Sequence, residues 1–160
     1  MTQPEHQACL LLGSNIQPEK NLALGMDLLR QKVKVVRSSS VWESPSVGSL
    51  GPDFLNIAVM VITPLEAVEL KEKVLRPLEG QLGRVRSQDK NAPRTIDLDI
   101  ILFDGQLEDP GLFLYAHRAV PVAELLPEFP SPRGRKLADI ASELAKKTPI
   151  RLKPKVFMDN

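Results

Sequence analysis

The chain has 160 residues, 42% hydrophobic and 26% charged, which suits one domain with a packed core and excludes general disorder. A net charge of +1 argues against a general nucleic-acid binder, and a lone Cys9 excludes an internal disulfide and fits a reducing compartment. "MTQPEHQ" has no basic-then-apolar leader pattern and no apolar run nears the roughly 20 residues of a membrane helix, so a cytoplasmic protein, off the membrane and monomeric, is expected.

In chain order, the apolar run from Ala8 to Leu12 ending in "GSN" predicts a buried strand and a tight turn. "QPEKNLALGMDLLRQKV" predicts a helix, with Pro18 and Glu19 in its first turn and Leu22, Met26 and Leu29 at helical spacing. "VKVVRSSSVWES" reads as a strand, "SPSVGSLGPD" as a loop, and "FLNIAVMVIT" as a strand buried on both faces through its centre. "PLEAVELKEKVLRPLEGQLG" is helical, with Pro77 set to bend or stop it because an interior proline removes a hydrogen bond. A basic loop from Gly83 to Arg94 leads into the strand "TIDLDIILF". This order predicts an α/β (α+β) fold, a ferredoxin-like βαββαβ core with a C-terminal extension, in one domain over 6–160. The extension shows one clear helix, in "RKLADIASELAKK", and a last strand in "PIRLKPKVF".

The strand "TIDLDIILF" carries acids where apolar residues are expected. Side chains alternate, so Ile96, Leu98, Ile100 and Leu102 are predicted on one face and Asp97, Asp99, Ile101 and Phe103 on the other. The two carboxylates then lie about 6 to 7 Å apart, where an effective dielectric of about 20 gives roughly 2 to 3 kcal/mol of repulsion. A solvated outer face would tolerate that. A divalent cation would use it, and Mg²⁺ is commonly held by one or two carboxylates together with waters and phosphates. Upstream, Arg84, Arg86, Lys90 and Arg94 stand against the single acid Asp89. A basic loop before a paired-carboxylate strand is what a metal–nucleotide complex requires, because guanidinium forks neutralise the phosphate oxygens that the metal leaves. No GxxxxGK[ST], GxGxxG or HExxH motif occurs.

At these residues the sequence resembles the 6-hydroxymethyl-7,8-dihydropterin pyrophosphokinases of folate biosynthesis. The resemblance rests on "KNAPRTIDLDII", "PLEGQLGRVR", "VWESPSVG" with "PDFLN", and "LGSN", four blocks in the family's order across most of residues 8–103. It implies transfer of pyrophosphate from ATP to the pterin hydroxymethyl group, with release of AMP. It further implies that Asp97 and Asp99 bind two Mg²⁺ ions and that Arg84 and Arg94 contact phosphates, Arg84 from a loop that closes over the reaction. Glu79, Arg86, Lys90 and His117 match positions around the nucleotide. Ser44, Pro45, Val47, Phe54 and Asn56 match the pterin site, with Phe54 stacking on the ring and Asn56 reading its edge. The implied partners are small molecules, ATP and a pterin.

The C-terminal part departs from the family pattern. "LFLYAHRAVPVAELLPEF" is several residues short, so either His117 matches the phosphate-contacting histidine or Arg118 matches the family arginine. Val120 stands near the position of a stacking Phe, and Lys90 where an arginine is common. Two other readings therefore stand beside the first: a non-catalytic Mg-nucleotide-binding module, and a pyrophosphokinase acting on a different flat alcohol. An RNA-binding domain of the RRM type is disfavoured, since aromatic residues make up only 4% of the chain and the stacking platform needs them.

Overall fold

The computed structural model describes residues 4–46, 52–84 and 95–154. Val47, Arg86, Lys90, Asn91 and Arg94 lie outside them.

Among the described residues, seven strands form one antiparallel sheet: β1 (His6–Ser14), β2 (Lys34–Ser38), β3 (Val41–Ser44), β4 (Phe54–Thr63), β5 (Asp97–Phe103), β6 (Gln106–Leu107) and β7 (Arg151–Lys153). The path across the sheet is β6-β5-β1-β4-β3-β7, with β2 also on β4. Helix α1 (Pro18–Lys32) follows β1. A second helical stretch follows β4, made of α2 (Ala67–Leu70), a π turn (Lys71–Leu75) and α3 (Arg76–Gln81). Counting β2 and β3 as one position, the core order is that of the ferredoxin-like fold. The predicted strand over residues 33–44 is two strands because the chain breaks at Ser39 and Ser40. There the Ser39 hydroxyl accepts the Ala58 N–H and the Ser39 N–H goes to Ala58 O.

Leu10, Leu12, Leu55, Ile57, Val59 and Leu98 point from the sheet onto α1 and the α2–α3 stretch, forming the larger core. The opposite face is covered by the extension. A 3₁₀ turn (Pro110–Phe113), α4 (Ala116–Leu125) and α5 (Leu137–Lys147) pack on Cys9, Leu11, Ala58, Met60, Ile101 and Leu102. Residues 116–125 were not expected to be helical. Pro121 sits inside α4 and masks the apolar spacing of Ala116, Ala119, Val122 and Leu125, all buried. Gly13, Asn56 and Asp97 lie at one end of the sheet, in register across β1, β4 and β5.

Pro77 does not stop its helix. It lacks an N–H for the usual i−4 bond, and the preceding turn widens so that Arg76 N–H reaches Lys71 O, five residues back. The strand β5 also departs from simple alternation. Leu10 faces Ile100 and Cys9 faces Leu102, so Ile101 is an extra residue in a bulge. Its carbonyl accepts the Glu108 and Asp109 N–H groups. Ile101 and Leu102 consequently both face the second core, while Ile100 and Phe103 face the first. Leu102 and Phe103 thus lie on the faces opposite to those predicted. Asp97 and Asp99 precede the bulge and keep theirs.

Candidate active site

Of the predicted residues, Ser44, Phe54, Asn56, Asp97 and Asp99 lie on β3, β4 and β5, while Glu79 and His117 lie on α3 and α4. Gly13 of β1 is in register with Asn56 of β4 on one side and Asp97 of β5 on the other. One rung inward, Leu11 stands between Ala58 and Asp99 in the same way. Asn56 and Asp97 are therefore two strand spacings apart, about 10 Å, on one face. Trp42 of β3 extends the row beyond Asn56. At Gly13 the missing side chain matters: a Cβ there would lie 3.0 Å from Asn56 Oδ1 and 3.7 Å from a Phe54 ring carbon.

On the β4 side, Asn56 is buried in the middle of the sheet and its Nδ2 donates to the buried Ser44 hydroxyl at 2.9 Å. That bond fixes the orientation of the amide. Phe54 pairs with Ser44 across β3 and β4 and is half-buried, as is Pro45 beyond the strand end. Trp42 is half-buried, and its Nε1 donates to Glu124 of α4 at 2.9 Å; the same carboxylate accepts Ser40 N–H and hydroxyl. Glu124 thereby ties α4 to the strand beside Asn56.

On the β5 side, the two acids share a partly exposed face. Burial pushes the Asp99 carboxyl up to about 6, the Asp97 charge adds to the push, and Arg118 and Arg76 oppose it. Arg84 Nη2 lies 3.9 Å from Asp97 Oδ1, and the Arg84 side chain is only 9% exposed. Arg118 is held by Asp109, whose Oδ2 takes its Nε–H at 2.8 Å and whose Oδ1 takes Gly111 N–H. Arg118 Nη1 is 2.8 Å from His117 Nε2, and its guanidinium lies over the Tyr115 ring. The structure thus brings both His117 and Arg118 into one cluster. Val120 is half-buried and packs against the second core.

Glu79 is 2% exposed, and its Oε2 accepts both Leu98 N–H at 2.8 Å and Arg76 Nη1 at 3.0 Å. It lies beneath the acid pair, with its carboxylate engaged by the strand. Beyond Asp99 the edge of β5 is not covered by β6, which pairs only Leu102 and Phe103. A cleft of about 330 Å³ opens there, lined by Val68, Lys71, Arg76, Ile100 and Asp109 among others.

Hard oxygen donors on one face with neighbouring cations suit Mg²⁺. Asp97 and Asp99 could hold such an ion, with water and phosphate completing its shell. Arg76, Gly13, Asp109 and Glu124 were not singled out from the sequence. Only Gly13, at a strand end in "LGSN", carries a local signal.

Comparison with known proteins places the chain in a family. Residues 9–127 match the family model of the 7,8-dihydro-6-hydroxymethylpterin-pyrophosphokinases. A 2-amino-4-hydroxy-6-hydroxymethyldihydropteridine pyrophosphokinase of Synechocystis is 35% identical over 142 residues, which are 82% of this chain and 72% of that protein. Its counterpart from Pseudomonas aeruginosa is 32% identical over 141 residues, 81% of this chain and 86% of the relative. Among solved structures, the wild-type HPPK-DHPS of Plasmodium falciparum superposes with a TM-score of 0.71 at 10% identity, over 91% of this chain and 46% of that one. At that identity the likeness shows the fold alone, and this chain spans about half the length of that protein. The family match across most of the chain, together with the relatives in sequence, places it: the chain belongs to the 7,8-dihydro-6-hydroxymethylpterin-pyrophosphokinase family.

Proposed function

We propose that this chain transfers pyrophosphate from ATP to the hydroxymethyl group of 6-hydroxymethyl-7,8-dihydropterin, releasing AMP, at the sheet face that carries Asn56, Gly13 and Asp97. The observation that carries the residue assignment is the register: a β4 amide and a β5 acid flank one glycine. The flat substrate lies on the β4 side, with Phe54 against its ring, Asn56 and Ser44 at its edge, and Pro45 and Val47 in the adjoining loop. ATP lies on the β5 side, its base in the cleft beyond Asp99 and its phosphates running toward Gly13. The hydroxymethyl oxygen then meets the β-phosphorus near the row that joins the two halves, and AMP leaves toward the cleft.

Asp97 and Asp99 offer four carboxylate oxygens, and we assign two Mg²⁺ ions to them. When bound, the metal supplies neutralisation of the triphosphate charge. Arg84, already beside Asp97, and Arg94 contact the transferred phosphates, with Arg86, Lys90 and His117 around the remaining oxygens. Positioning and charge neutralisation account for most of the catalysis in this reading. The chain acts as one domain over 6–160, as a cytoplasmic monomer. Among the described residues no helix is long and apolar enough to cross a membrane.

The test is AMP release from ATP and the pterin, with and without Mg²⁺. One AMP per pterin consumed, and only with metal, is expected. Absence of AMP from folded protein that still binds Mg-ATP would overturn the substrate assignment and direct the search to another flat alcohol.

A further inference from the structure

Among the described residues, no strand pairs with the outer edge of β5 between the two acids, since β6 reaches only Leu102 and Phe103. Both outward backbone groups of Leu98 are nevertheless satisfied, by two side chains from α3. Glu79 Oε2 accepts Leu98 N–H at 2.8 Å, and Arg76 Nη1 donates to Leu98 O at 3.3 Å. The two side chains are themselves joined, Arg76 Nη1 to Glu79 Oε2 at 3.0 Å. Together they do for Leu98 what a paired strand would do. Leu98 is the single residue between Asp97 and Asp99, so this clasp sets the backbone from which both carboxylates project. Arg76 also lines the cleft beyond Asp99.

The clasp depends on a local irregularity. Arg76 and Glu79 are three apart and share one helix face. What turns that face toward β5 is the π turn before Arg76, where Pro77 offers no N–H and the helix takes in an extra residue per turn. A regular α-helix through 71–76 would rotate Arg76 away from its present direction. The sequence feature that looked like a fault is what aims the residue.

We infer that Arg76 is a positioning residue for the metal–nucleotide half of the reaction: with Glu79 it fixes the spacing and direction of Asp97 and Asp99 through the Leu98 peptide groups. The inference rests on the reading of Asp97 and Asp99 as the metal-holding pair. Glu79 becomes part of the same support, a role distinct from contact with the nucleotide.

The experiment uses the full chain and compares Arg76→Met, which keeps the stem and removes every donor, with Arg76→Lys, which keeps a charge and a donor. Three quantities are read: the Mg²⁺ concentration for half-maximal turnover, the affinity for a non-hydrolysable ATP analogue with Mg²⁺, and the affinity for the pterin alone. Arg76→Met is expected to raise the first about tenfold and to weaken the second similarly, with pterin affinity within twofold of wild type. Arg76→Lys is expected to recover most of the loss, and it serves as the test variant if Arg76→Met does not fold, a threefold shift in Mg²⁺ requirement then being expected. Unchanged Mg²⁺ dependence in a folded Arg76 variant overturns the inference, as does equal loss of pterin and nucleotide binding, which marks a general structural role. Asp97→Ala run in parallel separates the two levels. If it leaves metal dependence unaltered, the metal assignment itself fails; if it abolishes turnover while Arg76 variants behave as wild type, only the positioning role fails.

Discussion

Replacing Asp99 with Asn should make the protein more stable and inactive at once. The Asp99 carboxyl is raised from 3.8 to about 6, first by burial and then by Asp97. A shift of that size corresponds to about 3 kcal/mol at neutral pH. Repulsion of roughly 2 to 3 kcal/mol across 6 to 7 Å, plus desolvation, less the opposing pull of Arg118 and Arg76, is of the same order. The sign follows from linkage: a carboxyl whose folded pKa lies above its unfolded one costs stability once pH exceeds the folded value, and the cost fades as pH falls toward the unfolded value. Asp99→Asn is therefore expected to gain about 2 to 3 kcal/mol at pH 7, about half of that at pH 5 and almost nothing at pH 4. In a domain of this size the neutral-pH gain is on the order of 5 to 10 °C in Tm. The assay is thermal unfolding of wild type and variant at the three pH values, without metal and then with Mg²⁺ and an ATP analogue. Ligand should raise the wild-type Tm by mass action and leave the variant unmoved. A variant no more stable than wild type at pH 7, or a gain independent of pH, would refute the idea that the acid pair is strained in the apo protein.

Three further outcomes follow from the geometry. Gly13→Ala puts a Cβ 3.0 Å from Asn56 Oδ1; the amide must shift, so KM for the pterin should rise about tenfold with KM for Mg-ATP little changed, and parallel shifts in both would show that the two halves are not separated as described. Glu124→Ala leaves Trp42 Nε1, Ser40 N–H and the Ser40 hydroxyl without their shared acceptor, and a loss of about 1 to 2 kcal/mol in denaturant unfolding, with altered Trp42 fluorescence, is expected; an unchanged midpoint would mean that water replaces the carboxylate at no cost. His6 is held between Asp104 and Glu66, and the hydrogen bond to Asp104 raises its pKa, so its contribution is fully present below about 6.5 and is lost as pH climbs through the raised value. The Tm difference between wild type and His6→Gln should accordingly be largest near pH 6 and shrink in alkali; a pH-independent difference argues against the ion pairs.

The parts legible in the sequence are those governed by local pattern. β4 is apolar from Ile57 to Ile62, and it is a central strand buried from both sides. Asp97 and Asp99 share a face because alternation holds over three residues. The misreadings arise where a distant partner decides. Leu102 and Phe103 exchange faces because Glu108 and Asp109 draw on the Ile101 carbonyl, which no window around Ile101 reveals. The widened turn at Lys71–Leu75 depends on Pro77, visible in the sequence, and on the fit of Arg76 and Glu79 to a bare strand edge, which is not. Asn56 reads as a turn or strand-edge amide when taken alone. The structure sets it mid-sheet, between β1 and β3, where a buried amide needs the Ser44 hydroxyl twelve residues away.

The short segment after Tyr115 takes on a different meaning once α4 is in place. In the sequence, adjacency of His117 and Arg118 forces a choice between two alignments, each of which gives up one polar group. In space the two side chains lie together. The chain enters α4 directly after Tyr115, so neighbouring residues of the first helical turn carry both side chains to one cluster, Nη1 of Arg118 on Nε2 of His117 and its Nε on Asp109. The far end of the same helix is fixed by Glu124 on Trp42 and Ser40 and by Arg37 on the Leu125 carbonyl. A ten-residue helix spans about 15 Å, comfortably more than the two strand spacings from Asp97 to Asn56. The shortened connection therefore makes α4 a strut pinned beside Asp99 at one end and beside Asn56's neighbour Trp42 at the other. A shift of α4 would move the surroundings of Asp99 and of Asn56 together, which ties the packing of the second core to the spacing of the two residues.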